Sequence, residues 1–494
     1  MNWPPAPYDQ IQKHYREYAA WYGGQPHILA AQYMGGQSIG ETTFTPREAQ
    51  YAGGLIGAIA RFFWGTPPSR GSNTSAKLHI PLAEEVAAEG GYQMFKNPPQ
   101  IDMGGTATGS VHQLRIEEYI ENGLFVQLLH AAEVASALTG VFLRVGYNTM
   151  LSSFPLISVI HPDAALPTFS HGFLRDVILW RTVSDTRNEV VRHLEHHTIG
   201  QIEHGLYKGD RLRLGKRIEL SQHAMTADLR SGPINTGLDI LDCVYVPNLK
   251  TRIWRDNGQT SNLGRSDYGS ILTVMDGLDE VYTSWMRDIR LGKARLMVPQ
   301  GYLENHGRGQ GATFDLDRDV FVELNALTGG DKLEIVPNQF TIRFEAHAAT
   351  TAALLERCIS GAGYSAQTFG VSPAIAMTAT EVESREQRTF NTRAAKIEMG
   401  WKYGLRNLIN LMLRTDELLG NLPMISVPLV LRIEFPPPVR ENLKTLADTV
   451  KTLRDAQSAS TAVLVKMIHP EWDDTMVNAE VALIGQFQVS VSAT

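Results

Sequence analysis

The chain has 494 residues, 43% hydrophobic and 20% charged, a balance that excludes a disordered polymer and allows two to four domains or one elongated subunit. Against 45 Lys and Arg stand 52 Asp and Glu, a formal charge of −7, which argues against a protein that grips nucleic acid by neutralising phosphates but not against one that lets it slide past. Cys243 and Cys358 are far apart and outside any CxxC spacing, so neither a disulfide framework nor a cysteine metal site is implied, and a reducing compartment is the natural setting.

The first residues, MNWPPAPYDQIQKHYREYAAWY, lack a basic segment followed by an apolar core, and no run of about 18 apolar residues occurs, so neither export nor membrane insertion is expected. Residues 1–65 read as helical, with Ile11, His14, Tyr15 and Tyr18 three to four apart and TPREAQYAGGLIGAIARFFWG continuing the pattern. A short strand and a proline-started helix are expected over 75–95, then an amphipathic helix over 115–140. From there to about 250 the alternating segments GVFLRVGYN, LISVIHP, DVILWRTV, EVVRHLEHHTIGQIEHGLYKG, RIELSQ and DCVYVPNL predict strands.

Helical spacing returns over 266–295, where Ile271, Val274, Met275, Leu278, Val281, Tyr282, Trp285 and Ile289 form a stripe. Its acids (Asp267, Asp276, Asp279, Glu280) lie toward the N-terminal end and Arg287, Arg290, Lys293 and Arg295 toward the other, matching the helix dipole. Residues 296–340 predict strands and turns projecting between that helix and another over 340–361. An uncharged, glycine-dotted loop, SGAGYSAQTFGV, leads to a long helix over 379–414, with Thr378 and Glu381 matching a capping box. A strand over 425–438 and helices to Gly485 follow, and the last residues are expected to fray.

The histidine run RHLEHHTIGQIEHG offers His193, His196, His197 and His204, but it fits neither HExxH nor HxxEH. Strand alternation puts His193 and His197 on one face and His196 on the other, and a solvated or partly buried sheet surface is the expectation, with no metal. HGRGQGATF lacks the lysine-serine pair of a phosphate loop, DLDRD lacks the glycine and glutamate of a calcium loop, and no GxSxG occurs. No catalytic residue, cofactor or metal is expected, and the chain does not read as an enzyme.

GAGYSAQTFGVSPAIAMTATEVESREQRTFNTR (361–393) strongly resembles portal proteins of tailed bacteriophages, particularly those of siphoviruses that infect actinobacteria. KLHIPLAEEVAAEGGYQMFKNPP (77–99), RHLEHHTIGQIEHGLYKG (192–209), GRSDYGSILTVMDGLDEVYTSWMRDIRLGKARLMVP (264–299) and VLVKMIHPEWDDTMVNAEVALI (463–484) agree in content and order. The resemblance implies an α+β portal fold with wing, stem, clip and crown regions, assembled as a homo-oligomeric ring of about twelve subunits. It implies a wing over 1–262, a stem helix over 263–295, a clip over 296–339, a second stem helix over 340–360, a tunnel loop over 361–376, a long wing helix and returning strand over 377–438, a crown over 439–485 and a flexible tail over 486–494.

Such a ring sits at the portal vertex of the virion, after assembly in the host cytoplasm, and conducts double-stranded DNA during packaging and ejection through transient, non-specific contact. The implied partners are the major capsid protein, scaffolding protein, terminase large subunit and head-tail adaptor, with no membrane. Gly361, Gly363, Tyr364, Ser365, Gln367, Thr368 and Gly370 would face the DNA, and Arg287, Arg290, Lys293 and Arg295 would offer further contacts from the stem. The alternative is a metal-dependent hydrolase using the histidines of 193–204.

Overall fold

The computed structural model describes residues 2–24, 78–103, 111–148, 150–187, 189–250, 260–291, 295–297, 304–305, 312–313, 336–338, 342–371, 379–424, 431–437, 443–469, 472 and 474–492; within 290–338, 379–385, 443–445, 474 and 486–492 it describes the backbone alone. Helix α1 (Tyr8–Tyr22) buries Ile11, Tyr15, Tyr18 and Trp21, the three-to-four spacing read from the sequence. The expected helix over 45–65 lies outside the described residues.

Helix α2 (Leu82–Phe95) begins after Pro81, where a missing amide leaves no bond unmade. In the described part of the segment before it no strand forms. Instead the Leu78 amide donates to Thr283 Oγ1 at 2.9 Å and the Ile80 amide to Asp279 Oδ1 at 3.0 Å, so side chains replace a strand partner.

Strand β1 (Gln100–Met103) precedes two helices, α3 (Val111–Glu121) and α4 (Leu124–Leu138), where the sequence suggested one. Gly123 separates them at φ +89°, a left-handed conformation that ends a helix and favours glycine.

Between 140 and 250 every expected segment contains a strand, and Ala165–Ser170 and Pro233–Asn235 add two that the sequence did not suggest. β2 (Gly140–Gly146), β3 (Leu156–Ile160), β4 (Ala165–Ser170), β5 (Phe173–Asp185), β6 (Val190–Thr198), β7 (Gln201–Gly209), β8 (Lys216–Ile218), β9 (Pro233–Asn235) and β10 (Cys243–Pro247) build two antiparallel sheets. One has the order β10-β2-β3; the other has β4-β5-β6-β7-β8, with β9 pairing on β7. Phe142, Ala165, Val177, Leu179 and Cys243 pack between them. Two short strands, β11 (Leu249–Lys250) and β12 (Gly264–Arg265), pair antiparallel.

Helix α5 (Leu272–Leu291) is shorter than the predicted 266–295, because Ser266 and Asp267 are buried ahead of it in a turn. Beyond it β13 (Arg295–Met297), β14 (Glu304–Asn305), β15 (Ala312–Thr313) and β16 (Val336–Asn338) form two antiparallel pairs, β13 with β16 and β14 with β15. Helix α6 (Phe344–Ala362) returns. The glycine-rich tip 306–311 lies outside the described residues.

The predicted long helix is three helical segments in one run: α7 (Ala379–Lys396), a π-helical stretch (Ile397–Trp401) and α8 (Lys402–Leu418). Within that stretch Gly400 lies against β10, where an added Cβ would stand 2.4 Å from the Pro247 carbonyl oxygen. Thr378 and the Glu381 side chain, the expected cap, lie outside the described residues.

Strand β17 (Leu431–Glu434) pairs antiparallel with β1, and α9 (Leu443–Asp455), α10 (Thr461–Ile468) and α11 (Asp474–Ser492) complete the chain. Helix α11 runs through Gly485 to Ser492, so the expectation of a helix stop at Gly485 is corrected.

The molecule is therefore α+β. Its main core joins α1, α2, α4, β2 and α8 through fully buried side chains such as Leu128, Ala131, Leu143, Leu408 and Ile409, each large aliphatic one contributing about 1.5–3 kcal/mol by leaving water. Among the described residues no helix is long and apolar enough to cross a membrane.

Candidate functional site

Helices α5 and α6 form an antiparallel pair. At one end Trp285 packs edge-on to Phe344 at 5.5 Å and stacks on His347 at 5.9 Å, while Asp288 accepts from His347 Nε2 at 2.9 Å and from Arg343. At the other end the Gly361 backbone approaches Ile271 so closely that a Cβ would stand 2.4 Å from Ile271 Cγ2. The paired strands β13 and β16 lie between the two helices in chain order, the helix–strand–helix order read from the sequence.

The inner end rests on a buried ion pair. Lys396 of α7 donates to Asp267 Oδ2 at 2.5 Å, to Ser136 Oγ of α4 at 2.9 Å and to Tyr364 Oη at 3.0 Å, which satisfies all three ammonium protons. Tyr364 donates to Asp267 Oδ2 at 2.8 Å, and Asn248 Nδ2 donates to Asp267 Oδ1 at 2.7 Å. Burial, opposed by the charge of Asp267, holds Lys396 below the ordinary lysine value, and burial with that same charge pushes the Tyr364 hydroxyl well above the usual tyrosine range.

One network thus ties together α4, the turn before α5, the segment after α6, and α7. Around it the Ser365 amide donates to Thr389 Oγ1 at 2.9 Å, Thr392 Oγ1 donates to the Gly363 carbonyl at 2.6 Å, and the Thr368 and Thr389 hydroxyls bond at 2.8 Å.

This geometry corrects part of the loop assignment. Gly361 lies within α6, Gly363 is its left-handed cap at φ +98°, both half-buried, and Tyr364 and Ser365 are buried, so these four are anchored residues rather than parts of an exposed loop. Gln367 and Thr368 lie half-buried in a 3-10 turn, and Gly370 is exposed. Residues 372–376 lie outside the described residues.

Among the stem cations Arg287 is half-buried near the end of α5 that leads to the projection. The side chains of Arg290, Lys293 and Arg295 lie outside the described residues.

Three of the histidines of 193–204, His193, His197 and His204, occupy the interface between the two large sheets. Odd positions of β6 share one face: His193, Glu195 and His197 point there with His204 of β7, whereas His196 is on the other, with Asp176 at 3.6 Å. The predicted alternation is observed, and of the solvated or partly buried surface expected this face lies at the buried end, with His193, His197 and His204 buried.

His197 is saturated: Nδ1 bonds Asp242 Oδ2 at 2.8 Å and Nε2 lies 3.4 Å from Glu195 Oε2, which also takes Arg144. Burial opposes ionisation of Glu195, yet the His197 hydrogen bond and the Arg144 charge outweigh it and pull the carboxyl down to about 2. His193 and His204 stack at 5.2 Å, and burial pushes both below the ordinary histidine value, His193 to about 4. A cavity of about 350 Å³ adjoins His193 and Glu195, with Arg144, Arg181, Trp180 and His161 on its walls.

Sequence reasoning missed Lys396, Asp267, Ser136 and Asn248. A lysine next to Ile397 on the buried stripe that continues to Trp401 and Leu405 was the available signal. Both cysteines are buried, and burial raises both thiols, which fits inert core residues. Comparison with protein-family models and with curated proteins finds no match to this chain.

Proposed function

We propose that the chain is a portal subunit, one of about twelve in a ring at a single capsid vertex, conducting double-stranded DNA during packaging and ejection. The observation that carries this reading is the antiparallel pair α5–α6, joined at one end by a strand projection and rooted at the other on Asp267, Tyr364 and Lys396. In that role the pair is the stem, the β13–β16 region is the clip that meets the terminase large subunit and head-tail adaptor, and α9–α11 belong to the crown.

Two further features support the reading. Large apolar side chains stand exposed on a single chain, among them Val126 at 73%, Leu151 at 74% and Leu212 at 76%, as expected of a subunit whose faces are covered by neighbours and shell proteins. The net charge of −7 suits a conduit that does not retain its cargo. The DNA-facing role is kept for Gln367 and Gly370 beyond the anchored Tyr364, and for Arg287 on the stem. Scaffolding protein and major capsid protein would contact the wing, and the motor's ATP hydrolysis belongs to the terminase.

The test is gold-labelled antibody against this chain applied to tail-free particles. Label confined to one vertex is the expected result; label spread over the shell, or absent from particles, contradicts the assignment.

A further inference from the structure

The sheet interface contains polar atoms that the fold does not use. His193 Nε2 and His204 Nδ1 are buried without a hydrogen-bond partner, although their residues are only 1% and 8% exposed. Between the two rings stands Glu195. Its Oε2 is occupied by Arg144 and His197, but its Oε1 lies 3.9 Å from Nδ1 of His204, one of the unpartnered nitrogens, and 3.9 Å from Nδ1 of His193, the other nitrogen of that ring, too long for hydrogen bonds.

His193, Glu195 and His204 each offer one ligand atom, all within 4.8 Å of one another. We propose that these three residues bind one divalent ion of the zinc type, with a water or small anion from the adjoining cavity as fourth ligand.

The chemistry fits such an ion. Two imidazoles and one carboxylate are ligands that zinc accepts; bonds of about 2.0–2.1 Å put ligand atoms about 3.3 Å apart, so the three residues, 3.9 Å from Glu195 Oε1 to Nδ1 of either ring and all within 4.8 Å of one another, must draw together on binding, and ligation of His193 through Nδ1 leaves its Nε2 unligated.

Arg144 and Arg181 add positive charge beside the site, which opposes a cation there and makes an anionic fourth ligand the one that offsets it. His197, Asp242 and Cys243 form a neighbouring group, but His197 has both nitrogens engaged and burial keeps the Cys243 thiol protonated, so that group is not a site. This inference departs from the sequence expectation of no metal, and it holds independently of ring assembly and of any hydrolytic activity.

The experiment uses the full chain, stripped with a chelator and titrated with Zn²⁺ and Co²⁺. One equivalent per chain, a melting temperature that rises with Zn²⁺, and the visible absorption of four-coordinate Co²⁺ are expected. His193→Ala and His204→Gln should each weaken Zn²⁺ binding at least tenfold, while His196→Ala on the opposite face binds as the parent does. If His193→Ala does not fold, His204→Gln and the Co²⁺ spectrum carry the test. Absence of one-equivalent binding in the parent, or unchanged binding in His204→Gln, overturns the proposal.

Discussion

Two buried polar clusters in this molecule solve the same problem differently. At the root of the helix pair, Lys396 and Asp267 lie nearly inaccessible, every ammonium proton has an acceptor, and both carboxylate oxygens are taken. In the sheet interface, Glu195 has one engaged oxygen, two histidine nitrogens lack partners, and a cavity adjoins. The closed cluster joins four elements from distant parts of the sequence, so its value is to fix where they meet. The open one lies mostly within two adjacent strands that backbone pairing already holds, so its unused atoms are available to a ligand.

The largest effect should come from breaking the closed cluster. Lys396→Met leaves Asp267 buried and unpaired, and should cost about 3–5 kcal/mol in denaturant unfolding. Adding Asp267→Leu should recover most of that loss; a double variant as unstable as the single would mean that the pair matters through shape rather than charge.

In metal-free protein Glu195→Gln should cost less, about 1–2 kcal/mol, because water in the cavity can take over part of what Arg144 and His197 lose. A cost equal to that of Lys396→Met would erase the distinction between the clusters.

Tyr364→Phe removes one donor from Asp267 while Lys396 and Asn248 remain, so about 1 kcal/mol is expected. This variant should also leave ring assembly intact, which separates anchoring of the helix pair from assembly itself.

The smallest effect belongs to the outer end of the helix pair. Burial opposes ionisation of Asp288, but the hydrogen bonds from His347 and Arg343 outweigh it and hold the carboxyl below its ordinary 3.8. Its stabilisation is therefore present above about pH 4 and lost as pH falls through the lowered value. Because Arg343 is largely exposed, Asp288→Asn should cost about 0.5 kcal/mol or less at neutral pH, read from thermal melts at pH 7 and pH 3.

The same contrast explains what was legible beforehand. The alternation of His193, Glu195 and His197 could be read because period two is a local property, and their burial could not, because it depends on β2 and β10 covering that face. Asp267 read as a helix-end charge because its partner is 129 residues away, and Tyr364 read as loop surface because glycines flank it. The helix–projection–helix order needed only local periodicity and turn chemistry. Where α6 ends and which loop residues are anchored depended on Thr389, Thr392 and Lys396 of another helix.

The central claim is that this chain closes into a ring with a passage through it. Electron micrographs of the purified full-length protein test it most directly: closed rings of about twelve subunits with an axial hole are predicted. A strictly monomeric protein at high concentration would contradict the account.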